Sequence, residues 1–175
     1  MRVIGLAGWS GAGKTTLVTR VIPHFLQQGL RVSVIKHAHH AFDVDVPGKD
    51  SWRHRQSGAQ EVLVSSGQRW ALMHELRGAS ELLLPELLAK MSPVDLVIVE
   101  GFKSEPYRKI EVHRIANGKA LLFPDDPGIV GIAADATLET ALPVVHLDDI
   151  PAVAAMMQRS AISVEELLAR SASEA

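Results

Sequence analysis

The chain has no cysteine, one tyrosine and only 5% aromatic residues among its 175. The lack of cysteine excludes disulfides, thiolate zinc sites and cysteine nucleophiles, and accords with a reducing compartment. No apolar run reaches the length of a membrane span, and no basic segment leading into an apolar one opens the chain. The expectation is a soluble cytoplasmic protein. A net charge of −2 gives no general attraction to nucleic acid or to an anionic membrane. No internal repeat stands out. What the chain does have is the makings of a core, with 47% hydrophobic residues. Its length predicts one domain over 1–175, a core to 149 followed by C-terminal helices and a small polar tail that frays (150–175).

Apolar runs at 2–8, 30–36 and 94–102 read as buried strands, the last the strongest. From Gly13, apolar residues at 17, 18, 21, 22, 25 and 26 fall on one helical face ending near Gly29, with a kink expected at Pro23. A short helix is predicted over 49–57, two strands over 61–65 and 69–74, and helices over 80–91, 149–159 and 164–170. Further strands are predicted at 109–114, 128–133 and 143–147. This alternation predicts an α/β fold, a mostly parallel sheet with helices on both faces.

Residues 8–15 read GWSGAGKT, a match to G-x-x-x-x-G-K-[ST] at every fixed position, between a predicted strand and a predicted helix. The glycines let successive amides of Gly8, Ser10, Gly11, Ala12 and Gly13 curl inward around an anion. The helix start adds its positive end through Lys14, Thr15 and Thr16. Lys14 is expected to reach the β- and γ-phosphates, and the Thr15 hydroxyl to ligate magnesium. The motif in this setting predicts a fold of P-loop NTPase type. Glu100 closes the most apolar run, where a charge is costly unless it meets a cation or water. It is the expected second acid for the magnesium, directly or through an oriented water. Asp95, at the other end of that run, reads as a solvated edge residue.

Residues 35–51, IKHAHHAFDVDVPGKDS, leave the second strand on the same carboxyl edge. Three readings stand. The segment is a transition-metal site of His37, His39 and His40 with Asp43 or Asp45; or a nucleotide and substrate cleft; or a solvated loop. The mixed chemistry favours the second. There Asp45 or Asp50 binds magnesium or its waters, and Lys36, Lys49 and Arg53 take phosphates. The histidines then donate to phosphate or stack on a base.

The stretches AGWSGAGKTTL, VIKHAHHAFDVDVPGKDSWRHRQSGA, QRWALMHE and DLVIVEGFK resemble the MobB family of molybdopterin-guanine dinucleotide biosynthesis proteins, over most of the chain to about residue 149. The resemblance implies a P-loop protein that binds GTP and Mg²⁺, hydrolyses GTP weakly and forms a homodimer. It implies an accessory role beside a guanylyltransferase, the A protein, which joins GMP to molybdenum-bound molybdopterin. By position, residues 11–16 would cradle the GTP phosphates, Thr15 and Glu100 would serve magnesium, and residues 37–50 would line the same cleft. Lys103 would be brought near it.

The N/T-K-x-D motif that selects guanine in many GTPases is absent; Asp135, in GIAADA, stands at a similar place. Trp9 covers the nucleotide or packs on the loop, and Trp52 and Trp70 read as core or interface. His74, His113 and His146 read as structural or surface residues. Arg69 and Arg108 are candidate cations acting across a dimer. Two rival functions share this fold: a metallochaperone GTPase using the histidines, and a small-molecule kinase with Asp45 or Asp50 as base.

Overall fold

The computed structural model describes residues 1–38, 42–102, 105 and 107–173, the side chains of 171–173 excepted. Two compact units emerge, Met1–His37 with Leu84–Ala175, and Ala38–Leu83. In chain order the elements are β1 (Arg2–Ala7), α1 (Lys14–Gln27), β2 (Val32–Lys36), α2 (Asp50–Gln56), β3 (Glu61–Ser65), β4 (Trp70–His74) and α3 (Leu84–Ala89). They continue with β5 (Leu96–Glu100), β6 (Lys109–His113), β7 (Ile129–Ala134), β8 (Val144–His146), α4 (Ile150–Ser160), β9 (Ile162–Ser163) and α5 (Val164–Ser173).

The first unit is built on a sheet in the order β2-β5-β1-β6-β7-β8, all parallel, with β9 antiparallel against the start of β1. Successive side chains of a strand point to opposite faces. Ile4, Leu6, Leu96 and Ile98 accordingly join α1 and α4 in one core cluster, while Val3, Val97 and Val99 join α3 and α5 in another. Both faces of β1 and β5 are covered, which is why these strands read as unbroken apolar runs. On α1, Leu17, Val18, Val21 and Phe25 are buried, and the helix stays continuous to Gln27 through Pro23. Asp149 caps α4, its carboxylate accepting the Ala152 N–H at 3.0 Å.

The helix expected over 80–91 is shorter, Leu84–Ala89. Pro85 is the reason. A proline has no N–H and clashes with the carbonyl four residues back, so a helix tolerates it only in its first turn. Strand β6 also differs from what its pattern suggests. Lys109, Glu111 and His113 alternate with Ile110 and Val112, yet all five are buried. The polar face is covered by the chain leading to β7. Lys109 Nζ donates to Asp126 at 3.0 Å, and Glu111 accepts the N–H groups of Leu122 and Phe123 at 2.8 and 3.0 Å.

The second unit holds α2 and the antiparallel pair β3–β4, in register from Glu61↔His74 to Ser65↔Trp70. The His74 ring meets Glu61 at 2.7 Å on one face. Leu63, Leu72 and Trp70 share that face and are exposed, Trp70 at 66%. Among the described residues, no helix is long and apolar enough to cross a membrane.

Candidate functional site

Residues 8–13 turn between the carboxyl end of β1 and the first turn of α1. Gly13 sits at φ +95°, a left-handed conformation that only glycine adopts without strain, and is the residue from which the helix starts. The Ala12 N–H donates to the Trp9 carbonyl, tightening the curl. Lys14 folds back along it, its ammonium donating to the carbonyls of Gly8 at 2.7 Å and Trp9 at 3.1 Å. The flexible stem leaves that ammonium at the loop's mouth, where a phosphate would be met.

The two residues expected to serve magnesium are together. The Thr15 hydroxyl donates to Glu100, 3.2 Å from one carboxylate oxygen and 3.4 Å from the other. Register explains the meeting, because Leu6 of β1 and Glu100 of β5 are Cα partners at the carboxyl edge. One hydroxyl and one carboxylate are the hard oxygen donors that Mg²⁺ prefers, so these residues fit that ion. Lys36 is the Cα partner of Glu100 on its other side, at the exposed end of β2.

The turn after β5 is tight. Gly101 lies at φ +110°, and a Cβ on it would fall 2.5 Å from the His37 Cβ. Phe102 follows at φ +51°, which costs a non-glycine residue roughly 1–3 kcal/mol. Its ring is buried and lies 4.7 Å from the His37 ring, and Tyr107 donates its hydroxyl to the Gly101 carbonyl at 2.6 Å. Burial pushes the Tyr107 phenol well above its usual range, keeping it a donor. The main chain beside Glu100 is thus held by packing from two sides.

The opposite flank of the loop meets the chain after β6. Asn117 Nδ2 donates to the Ser10 carbonyl at 3.1 Å, and Trp9 Nε1 donates to the Ala120 carbonyl at 2.8 Å. Trp9 therefore packs on the loop's neighbour, with the Lys119 ammonium 6.0 Å from its ring centre. Arg114 lies against Gly13, its Nε 3.2 Å from where a Cβ would sit. Asp135, at the end of β7, accepts the Ile115 N–H at 3.0 Å and stands 3.7 Å from Arg114.

A family profile described as molybdopterin guanine dinucleotide synthesis protein B, MobB, matches residues 3–135. The chain belongs to the MobB family. It is 40% identical over 157 residues to the molybdopterin-guanine dinucleotide biosynthesis adapter protein of Escherichia coli, covering 87% of this chain and 89% of that one. The Haemophilus influenzae adapter protein is also 40% identical, over 156 residues, covering 87% and 85%. Among solved structures, a molybdopterin-guanine biosynthesis protein B superposes with a TM-score of 0.72 at 25% identity, covering 90% of this chain and 98% of that one. Bacillus subtilis MobB superposes at 0.71, with 23% identity over 93% and 99%, and shares the fold. The fold is the MobB-like P-loop fold.

In this MobB-family chain the second unit holds the predicted Asp45, Lys49, Asp50 and Arg53. Asp45 is engaged there by Ser51 at 2.7 Å and Arg55 at 3.2 Å. Arg55 also reaches Asp43 at 2.8 Å and Glu75 at 2.7 Å, gathering three carboxylates around one guanidinium. The Arg55 guanidinium holds the Asp43 carboxyl below the usual carboxylate range, and the Ser51 hydroxyl does so first for Asp45. Asp50 lies in the first turn of α2, preceded by Lys49 as its cap, and Arg53 is exposed on the same helix. His39, His40 and Lys103 lie outside the described residues. Among the described residues, no three acidic or histidine side chains form a group that could hold a metal. Asp95 pairs with Arg31 at the amino end of β5, as its place in the strand implied.

Nothing local in the sequence singles out Arg114, Asn117 or Glu111, and Arg55, which with Arg53 flanks His54, reads there as a solvated or phosphate-contacting residue rather than the centre of an ion-pair cluster. The signal for the first three was a run of polar residues alternating with and following β6, whose meaning depends on β6 lying beside β1.

Proposed function

We propose that the chain is a GTP-binding accessory protein of molybdopterin-guanine dinucleotide synthesis, with weak Mg²⁺-dependent GTPase activity. In this reading it works as a homodimer beside the guanylyltransferase that joins GMP to molybdopterin. The observation that carries it is the contact of Thr15 with Glu100 beside a loop of G-x-x-x-x-G-K-T sequence, with Lys14 at its mouth. Family membership supports the choice of guanine and the adapter role.

The residues divide the work. The loop amides and the α1 N-terminus receive the phosphates, and Lys14 exchanges its two carbonyl partners for phosphate oxygens. Magnesium, when bound, neutralises charge between the β- and γ-phosphates. The Thr15 hydroxyl and the Glu100 carboxylate are the residues that would hold it, and Glu100 would also be placed to orient a water. The exposed apolar face of β3–β4 supports the dimer, because a two-stranded sheet seldom leaves Leu63, Leu72 and Trp70 in solvent unless another surface covers them.

Calorimetry tests the reading. The protein binds GTP more tightly with magnesium than without, and more tightly than ATP. Lys14→Ala removes a charge-assisted contact worth about 1.5–3 kcal/mol and weakens GTP about 10- to 150-fold, with the melt unchanged. Equal GTP affinity in Lys14→Ala would sink the assignment.

A further inference from the structure

The phosphate loop has two flanks. On the β5 side lie Thr15 and Glu100, which mark the end where a cation would bridge the outer phosphates. The α-phosphate and nucleoside must then run the other way, over the carboxyl ends of β6 and β7. Arg114 is the first residue on that path. It follows β6, and its Nε and Nη2 lie 3.2 and 3.7 Å from the Cβ position of Gly13, the residue from which α1 starts. Its side chain is about one-third exposed.

Two features show that this cation is placed rather than draped. Asp135 accepts the Ile115 N–H at 3.0 Å, fixing the backbone beside Arg114, and its second oxygen stands 3.7 Å from the guanidinium. That separation is Coulombic attraction without a formed hydrogen bond. Asn117, three residues on, donates to the Ser10 carbonyl and docks the whole turn on the loop. A guanidinium held loosely by Asp135, with the Asp148 carboxylate near enough to feel its charge, against the start of a phosphate-binding helix, is set to trade its Asp135 contact for a phosphate.

We infer that Arg114 is a nucleotide-binding residue supplied in cis, which contacts the α-phosphate of the nucleotide, with Asp135 as its positioning residue. The inference rests on the GTP reading above.

The experiment is calorimetry with GTP and GDP on wild type, Arg114→Ala, Arg114→Lys, Asp135→Asn and the Arg114→Ala/Asp135→Asn pair. Both nucleotides carry the α-phosphate, so Arg114→Ala weakens both by the same factor, about tenfold or more. Arg114→Lys, which keeps the charge and bulk on the turn, restores part of the loss. Asp135→Asn weakens both nucleotides less, and adds nothing in the Arg114→Ala background, whereas a merely structural role would add. A loss confined to GTP would put the guanidinium at the γ-phosphate and overturn the assignment. Unchanged affinity in Arg114→Ala and Arg114→Lys, with Lys14→Ala still impaired, would overturn it while leaving the GTP reading intact. Wild type that binds neither nucleotide would remove both.

Discussion

Glu111 is a buried carboxylate at the centre of the site's scaffold, and Glu111→Gln measures what it holds. In the native protein each of its oxygens accepts one backbone N–H, from Leu122 at 2.8 Å and Phe123 at 3.0 Å, with the residue wholly inaccessible to water. Glutamine has nearly the same shape but presents one oxygen and one NH₂. One N–H keeps its acceptor; the other faces a donor. The change removes a hydrogen bond to a charged group, about 1.5–3 kcal/mol, and leaves a buried donor unsatisfied, about 1–3 kcal/mol. The two sums overlap, because part of the first is the second, so the expected loss is about 2–5 kcal/mol. Urea or guanidinium unfolding followed by circular dichroism reads it directly. A second reading follows from position, because the same anchored segment carries Asn117 and Ala120 to the phosphate loop. Nucleotide affinity should therefore fall in Glu111→Gln even where the protein remains fully folded. A stability change under about 0.5 kcal/mol, typical of an unremarkable surface site, would refute the claim that this carboxylate pins the covering chain.

Gly101→Ala should destabilise the protein by more than the usual 0.4–1 kcal/mol that glycine-to-alanine changes contribute where alanine fits, and in the opposite sense. The φ of +110° and the 2.5 Å approach to the His37 Cβ leave alanine no room, and thermal melts read the loss; an unchanged melt counts against the tight turn. The carboxyls of Asp43 and Asp45 titrate below their unfolded value of about 3.9. A depressed carboxylate contributes stability above the unfolded pKa and loses it as pH falls through the folded one, so this contribution fades only below about pH 4. Carbon-detected NMR titration checks it. Arg55→Ala should raise the Asp43 midpoint most, and Ser51→Ala that of Asp45; midpoints at the ordinary value in the native protein contradict the ion-pair cluster.

What was legible in the sequence was what is contiguous. The phosphate loop announces itself because eight consecutive residues must carry glycine, lysine and threonine at fixed places to curl around an anion. Glu100 was legible because an acid closing an apolar run is costly without a purpose, and because β1 and β5 both expose their carboxyl ends at the same edge. Arg114, Asn117 and Glu111 do their work only because β6 pairs with β1, a tertiary fact that no local period encodes. The strand at 109–113 was legible as a strand, but the burial of Lys109, Glu111 and His113 comes from the chain at 119–128, which no local pattern announces. Asp45 was legible as one aspartate among several in a loop, but not the company it keeps. Its partner, Arg55, is ten residues away on the next helix, one of several basic residues there with nothing in the sequence to single it out.

The way the loop is held bears on how it would bind. Asn117 and the Trp9–Ala120 contact tie it to the β6 side, and that side is made stiff by two buried charges, Lys109 against Asp126 and Glu111 against backbone amides. Removing either partner of such a pair leaves a stranded charge or donor, so local opening there is costly. The β5 side is held differently, by packing of Phe102 and Tyr107 around a turn with two residues at positive φ. Glu100 joins these contacts: its side chain takes the Thr15 hydroxyl, and its carbonyl accepts the His37 N–H at 2.8 Å. A ligand that changes the demand on the Glu100 carboxylate therefore acts on the residue whose main chain secures the end of β2. The backbone strain kept at Phe102 lies in the turn beside that carboxylate.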